Sequence, residues 1–139
     1  MKPFSSVPVN LHLGLVLSEQ GAGAAVVTMA AGEHWTQETG VIHGGLLATL
    51  ADTAAVYALR PGLPSGHIMT SIEFKLNFLS PARANKGTLV ARARVVRQGR
   101  RVGVCDVDVE QAALVVAKGL FTYLFLEGKA SRGDRLPQH

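Results

Sequence analysis

The chain has 139 residues, enough for one domain with its own core, and its 47% apolar and 17% charged residues favour some apolar surface buried between subunits. The formal charge of +4 favours an anionic partner, but scattered basic residues and only 6% aromatic residues fit a phosphorylated small ligand and argue against nucleic acid. No apolar run reaches the roughly 18 residues of a membrane span, and the single cysteine, Cys105, excludes an internal disulfide framework and favours a cytoplasmic protein.

The first half of the chain predicts a β-hairpin, a loop and one long helix. Leu11–Glu19 and Gly23–Ala31 are short apolar runs joined by "QGAG", which is typical of two antiparallel strands. The polar stretch Gly32–Val41 predicts a loop. The run Gly44–Leu59 is rich in Ala and Leu and is followed by "RPGLPSG", so it predicts a helix that ends there.

The second half predicts four strands. In "HIMTSIEFKLNFLSP" mostly apolar residues alternate with polar ones, which predicts one half-buried strand with a single apolar face formed by Ile68, Thr70, Ile72, Phe74, Leu76 and Phe78. Residues 87–98, 101–111 and 114–126 predict three further strands. Short connections require antiparallel neighbours, so we expect an α+β domain with a curved antiparallel sheet of five or six strands and one central helix.

Asp52 is the unexpected residue of the predicted helix. It shares a stripe with Gly45, Thr49 and Val56, at positions i, i+4, i+7 and i+11, on a helix that is otherwise mostly Ala, Leu and Val. A desolvated carboxylate is costly unless it is paired or used. Two interpretations stay open at this point: a hydrogen-bonded or rim-exposed structural aspartate, and a functional carboxylate.

The start of the helix carries two glycines, Gly44 and Gly45. Backbone N–H groups of the first helical turn lack intrahelical partners, and the helix dipole adds positive charge there. Glycines would let a ligand oxygen approach these donors closely, as an oxyanion hole requires. They would equally let the helix start pack tightly against a strand, and the sequence leaves both interpretations open.

The spacing between these two features makes a further prediction. Gly44 and Asp52 are eight residues apart on one helix, so they lie about 12 Å apart. One small reacting group cannot touch both. If both act on the same group they come from different subunits, which predicts a dimer with two equivalent shared sites.

Three segments together resemble the hotdog-fold acyl-CoA thioesterases, and among them the PaaI-like branch associated with phenylacetic acid degradation. They are "GVIHGGLLATLADTA" from residue 40, "TSIEFKLNFLSPA" from residue 70 and "VVRQGRRVGVCDVDV" from residue 95. The resemblance covers residues 11–126. It implies a hotdog fold, in which the curved sheet wraps around the central helix, with residues 1–10 as an N-terminal extension and residues 127–139 as a flexible tail.

The resemblance also implies roles for individual residues. Asp52 of one subunit is the nucleophile or general base, and the backbone N–H of Gly44 of the other holds the thioester carbonyl. Gln37, where the family commonly has asparagine, lies near the carbonyl or the water. His43 shapes the loop close to the thioester and is not the base.

A serine or threonine early in the long strand positions the attacking water in this family. Ser71 matches that place best, and Thr70 is the alternative. CoA carries several phosphates, and Arg83, Arg100 and Arg101 are candidate contacts for them, although each one alone is better explained as a solvated surface arginine. No metal and no cofactor is expected, because CoA is part of the substrate.

The sequence therefore predicts a cytoplasmic hydrolase of aryl-acyl or medium-chain acyl-CoA, with a homodimer as the minimal unit and a homotetramer as the expected assembly, bound neither to nucleic acid nor to a membrane. Two alternatives are a hotdog domain that binds acyl-CoA without turnover, as a sensor, and a hotdog hydratase or dehydratase. The sensor is disfavoured by the retained Asp52. The hydratase needs a histidine and an acid in motifs that are not found here.

Overall fold

The computed structural model describes residues 2–128 and contains one six-stranded antiparallel sheet and one long helix. The elements are α1 (Pro8–Leu13), β1 (Val16–Gly21), β2 (Ala24–Met29), α2 (Gly44–Leu59), β3 (His67–Phe78), β4 (Leu89–Gln98), β5 (Val102–Gln111) and β6 (Leu114–Glu127), with single 3-10 turns at Phe4–Ser6, Glu33–Trp35 and Arg60–Gly62. The strand order is β1-β2-β4-β5-β6-β3, and all neighbours are antiparallel. The predicted α+β architecture is confirmed.

The core lies between α2 and the inward face of the sheet. Burial alternates residue by residue along β5, as expected for a strand with one face covered. The helix surface that packs on the sheet contains several alanines that are completely buried: Ala51, Ala54, Ala55 and Ala58. Small side chains let helix and sheet approach closely, so a carboxylate on the same helix has to lie at the edge of this contact.

The N-terminal part of the chain differs from the sequence prediction. Residues 11–13, expected in the first strand, belong to α1, so that part of the hairpin prediction is wrong. Pro8 at the helix start presets a helical φ, and Gly14 ends the helix in the left-handed conformation at φ 64°. The ring of Phe4 packs edge-on against Tyr57 at 4.7 Å between ring centres, which holds this segment on α2.

The long strand β3 also differs from its predicted pattern. A β-bulge lies between Ser71 and Glu73, where the pairing with β6 skips Ile72. A bulge shifts the side-chain alternation by one residue. Ser71 therefore pairs with Tyr123 on the inward face, whereas the sequence placed it on the face opposite Phe74. The predicted single apolar face is correct only after the bulge.

β3 is an edge strand of the described sheet, paired with β6 alone. It is much more exposed than the half-buried strand that the sequence predicts, because nothing within residues 2–128 covers its outer edge. Exposed apolar side chains follow one another along it, at 48% to 58% exposure: Ile68, Ile72, Phe74 and Phe78. The adjoining Leu79 is 57% exposed.

Candidate functional site

The first turn of α2 offers one free backbone donor. His43 is the N-cap, and its Nδ1 accepts a hydrogen bond from the Gly45 N–H at 2.9 Å. The Leu46 N–H donates to the His43 carbonyl at 3.0 Å. Within residues 2–128 the N–H of Gly44 donates to no other group. The positive end of the helix thus directs one unsatisfied donor outward at the residue predicted to hold an oxyanion.

Gly44 lines a pocket of about 390 Å³. Gln37 lines the same pocket, so the structure brings these two predicted residues together. The Oε1 atom of Gln37 accepts hydrogen bonds from the backbone N–H and the hydroxyl of Thr39. Its amide nitrogen donates to no group in the described part of the chain. That nitrogen is therefore available to a ligand.

Gly44 also has a packing reason to lack a side chain. A Cβ built on Gly44 would lie 3.0 Å from Cζ of Phe78, closer than ordinary van der Waals contact. The two interpretations that the sequence left open, close ligand approach and tight packing on a strand, are compatible in this geometry.

Asp52 lines a different pocket, of about 350 Å³. Ser71 and Tyr123 line it as well, and they lie opposite each other on β3 and β6. Thr70 pairs with Leu124 and does not line this pocket. Of the two residues considered for positioning water, Ser71 is thus the one beside Asp52.

The nearest polar partner of Asp52 is Tyr123, which the sequence reasoning missed. The Tyr123 hydroxyl donates to Oδ1 of Asp52, and the Asp52 backbone oxygen lies 3.2 Å from the same hydroxyl. Burial raises the pKa of the Tyr123 phenol far above its usual range, and the negative charge of Asp52 raises it further. A signal was available, since Phe121, Tyr123 and Phe125 alternate and only the middle one carries a polar atom.

The predicted site residues thus form two groups. Gly44 and Gln37 line one pocket, Asp52 and Ser71 line the other, and the two pockets share no lining residue. The rise of an α-helix puts Gly44 and Asp52 about 12 Å apart along α2. His43 is exposed beside the first group, where its backbone N–H donates to the Trp35 carbonyl at 2.9 Å and ties the loop to the helix start.

The arginines predicted to contact phosphates also fall into two groups, one near each pocket. Arg100 and Arg101 line a cavity together with His67, which also lines the Asp52 pocket. Arg83 forms a β-bridge with Val41, which lines the Gly44 pocket. The sequence reasoning did not consider Arg60, which lines the Asp52 pocket and lies 4.4 Å from the centre of the Tyr57 ring.

A family model described as the thioesterase superfamily matches residues 39–117, more than half of the chain. The chain belongs to the thioesterase superfamily. The match contains Gly44, Asp52 and Ser71, whereas Gln37 and Tyr123 lie outside it. The predicted hotdog fold and PaaI-like resemblance are confirmed, and the predicted enzyme class, a thioester hydrolase, is that of the superfamily.

Three known proteins are similar over more than half of this chain. Acyl-coenzyme A thioesterase PaaI of Escherichia coli is 35% identical over 97 residues, covering 70% of this chain and 66% of PaaI. Its structure superposes with a TM-score of 0.83 over 90% of this chain and 88% of that one. Human acyl-coenzyme A thioesterase 13 is 29% identical over 113 residues, covering 78% and 77% of the two chains. A Halobacterium salinarum protein is 38% identical over 93 residues, and the chain spans 60% of its length.

Residues 2–128 contain neither a membrane-spanning helix nor a cluster of metal ligands. No helix in this range has the length and apolar character needed to cross a membrane. In the same range, His, Cys, Asp and Glu side chains form no group of three or more that could hold a metal ion. The tail predicted from residue 127 lies outside the described residues except for Glu127, the last residue of β6, and Gly128.

Proposed function

We propose that this thioesterase superfamily member hydrolyses acyl-CoA, with Asp52 as nucleophile or general base and the Gly44 N–H polarising the thioester carbonyl. The observation that carries the proposal is a pair of pockets. One contains the free Gly44 N–H beside Gln37, and the other contains the Asp52 carboxylate beside Ser71. The names of the PaaI and human relatives support acyl-CoA as the substrate.

The two pockets fit one reaction if two copies of the chain combine. The Gly44 pocket of one subunit would hold the carbonyl oxygen, and Asp52 of the other would face the carbonyl carbon or the attacking water. Water supplies the oxygen of the new carboxylate, the C–S bond breaks, and CoA leaves as the thiol after taking up a proton. Ser71 would hold the water beside Asp52, and Gln37 would donate near the carbonyl.

The arginines predicted to contact phosphates lie beside different pockets, and they fit the same two-subunit arrangement. In a combined site, Arg83 would come from the subunit that supplies Gly44, and Arg100 and Arg101 from the subunit that supplies Asp52. Cations at both ends of a combined pocket could contact the phosphates of CoA. An aryl or medium-chain acyl group would occupy the apolar parts of the pockets, which contain Leu47 in one and Val56 in the other.

The first test is a panel of aryl-acyl and medium-chain acyl-CoA substrates with detection of free CoA. We expect Asp52→Asn to lower kcat by at least about a thousandfold, because it removes the reacting carboxylate. Asp106→Asn is the matched control, since Asp106 is a half-buried carboxylate that pairs with Lys118 and Arg94 away from both pockets. Full activity of Asp52→Asn would refute the assignment. Tight acyl-CoA binding without turnover by the wild type would support the sensor instead.

The shared site has its own test in mixed dimers. When the Asp52→Asn chain and the impaired Gly44→Ala chain are unfolded together and refolded, half of the dimers are mixed, and each mixed dimer has one intact site. We expect about a quarter of wild-type activity to return. Unmixed preparations of each variant, refolded in parallel, are the controls. If no activity returns in the mixture, both groups are required from the same chain and the shared site is wrong.

A further inference from the structure

The partner of Asp52 on β6 is a buried tyrosine among phenylalanines. Tyr123 is 1% exposed, and its neighbours on the inward face, Phe121 and Phe125, are 0% and 5% exposed. A phenylalanine would fill the same space without a polar atom to satisfy. A buried hydroxyl costs free energy unless it finds a partner, so the hydroxyl at position 123 is best explained by what it contacts.

The hydroxyl contacts Asp52 at one carboxylate oxygen only. It donates to Oδ1, and no hydrogen bond from the described residues reaches Oδ2. Ser71, directly opposite Tyr123 on β3, lies beside the same pocket. The carboxylate is thus held from one side and left open on the other, which is the arrangement that a positioned base or nucleophile requires.

We propose that Tyr123 is a positioning residue for the reaction: its hydroxyl holds Oδ1 of Asp52 so that Oδ2 faces the water or the thioester carbonyl. The inference rests on the proposed function. A carboxylate that is already held in its reacting orientation needs no reordering when the substrate binds. Because Tyr123 stays protonated throughout the neutral range, it acts as a donor and not as the base.

Other titratable groups near the pair do not replace this contact. Arg60 and His67 line the Asp52 pocket from the end of α2 and the start of β3. On β5, the Cys105 thiol donates to the Ala55 carbonyl at 3.5 Å, and burial raises its pKa to about 12, so it is neutral at physiological pH. Neither Arg60 nor His67 has a hydrogen bond to Asp52.

The test is Tyr123→Phe, with Tyr57→Phe as the matched control. These are the two tyrosines of the chain, and the Tyr57 hydroxyl has no hydrogen-bond partner within the described residues. We expect Tyr123→Phe to lower kcat by about tenfold to a hundredfold, the loss typical of a hydrogen bond to a charged group, with KM little changed. Tyr57→Phe should change neither.

The outcomes separate this inference from the proposed function. If Asp52→Asn is inactive while Tyr123→Phe keeps wild-type kcat, the positioning role is refuted and the proposed function stands. If Asp52→Asn is active, the proposed function itself fails. A kcat that falls only together with a comparable rise in KM would indicate a purely structural role for Tyr123 and would also overturn the inference.

A second measurement covers the case in which Tyr123→Phe does not fold. In the Tyr57→Phe chain, biosynthetic incorporation of 3-fluorotyrosine labels position 123 alone. The fluorine reports on the surroundings of the phenol, so we expect its NMR resonance to shift when Asp52→Asn is added, because the hydroxyl then loses its charged acceptor. A resonance that Asp52→Asn leaves in place would refute the contact between Tyr123 and Asp52.

Discussion

At the scale of single residues, Gly44 has two physical reasons to be glycine, and they predict different results. Its free N–H favours close approach of a ligand oxygen, and its missing Cβ makes room for the Phe78 ring. Alanine keeps the N–H but adds the Cβ. The ring atoms that it would meet are the far end of a half-exposed side chain, which can move aside.

We expect Gly44→Ala to lower kcat/KM at least about tenfold while changing the free energy of unfolding by less than about 1 kcal/mol, because alanine's better helix propensity offsets the contact with Phe78. Urea denaturation and CoA release measure the two effects. The double variant Gly44→Ala/Phe78→Leu, compared with Phe78→Leu alone, separates the reasons. If shortening Phe78 restores the activity, glycine is needed for packing and the ligand explanation is wrong.

At the scale of elements, the start of α2 depends on a side-chain cap that the sequence did not reveal. The resemblance implies that His43 shapes the loop close to the thioester, and the structure adds that its Nδ1 accepts a hydrogen bond from the Gly45 N–H. This bond satisfies one of the donors beside Gly44 and leaves Gly44 as the open one. The cap therefore contributes both to the stability of the helix and to the selection of its free donor.

We expect His43→Ala to lower the free energy of unfolding by about 0.5–2 kcal/mol, the usual cost of removing an N-cap. His43→Asn is the control, because an asparagine side chain can accept the same hydrogen bond, and it should retain most of the stability. Urea denaturation of the three proteins at one pH measures this. Equal stability of His43→Ala and wild type would show that the histidine bond contributes nothing to the helix.

At the scale of the whole molecule, β3 connects the two half-sites. Phe78 at its end lines the Gly44 pocket, and Met69 and Ser71 near its start line the Asp52 pocket. An exposed apolar edge strand favours pairing with another strand. Antiparallel pairing of two copies of β3 would set the Gly44 pocket of one subunit beside the Asp52 pocket of the other, which is the arrangement that the proposed reaction needs.

We expect Ile72→Lys to give a folded monomer that has lost most of its activity, because it places a charge at the centre of this edge. Val96→Lys is the matched control, since Val96 is 62% exposed and is also skipped by a bulge, but in the interior strand β4. Light scattering, circular dichroism and CoA release measure mass, folding and activity. An Ile72→Lys dimer with full activity would exclude β3 pairing as the assembly.

The sequence by itself determined the bounds of α2, the position of most strands along the chain and the distance between Gly44 and Asp52. These features depend on local periodicity and on the fixed rise of a helix. Tertiary structure decided the rest. The bulge at Ile72, which turns Ser71 toward Asp52, is set by the pairing of β3 with β6 and not by local pattern. The contact of Tyr123 with Asp52 joins residues 71 positions apart, a separation over which no local pattern carries information.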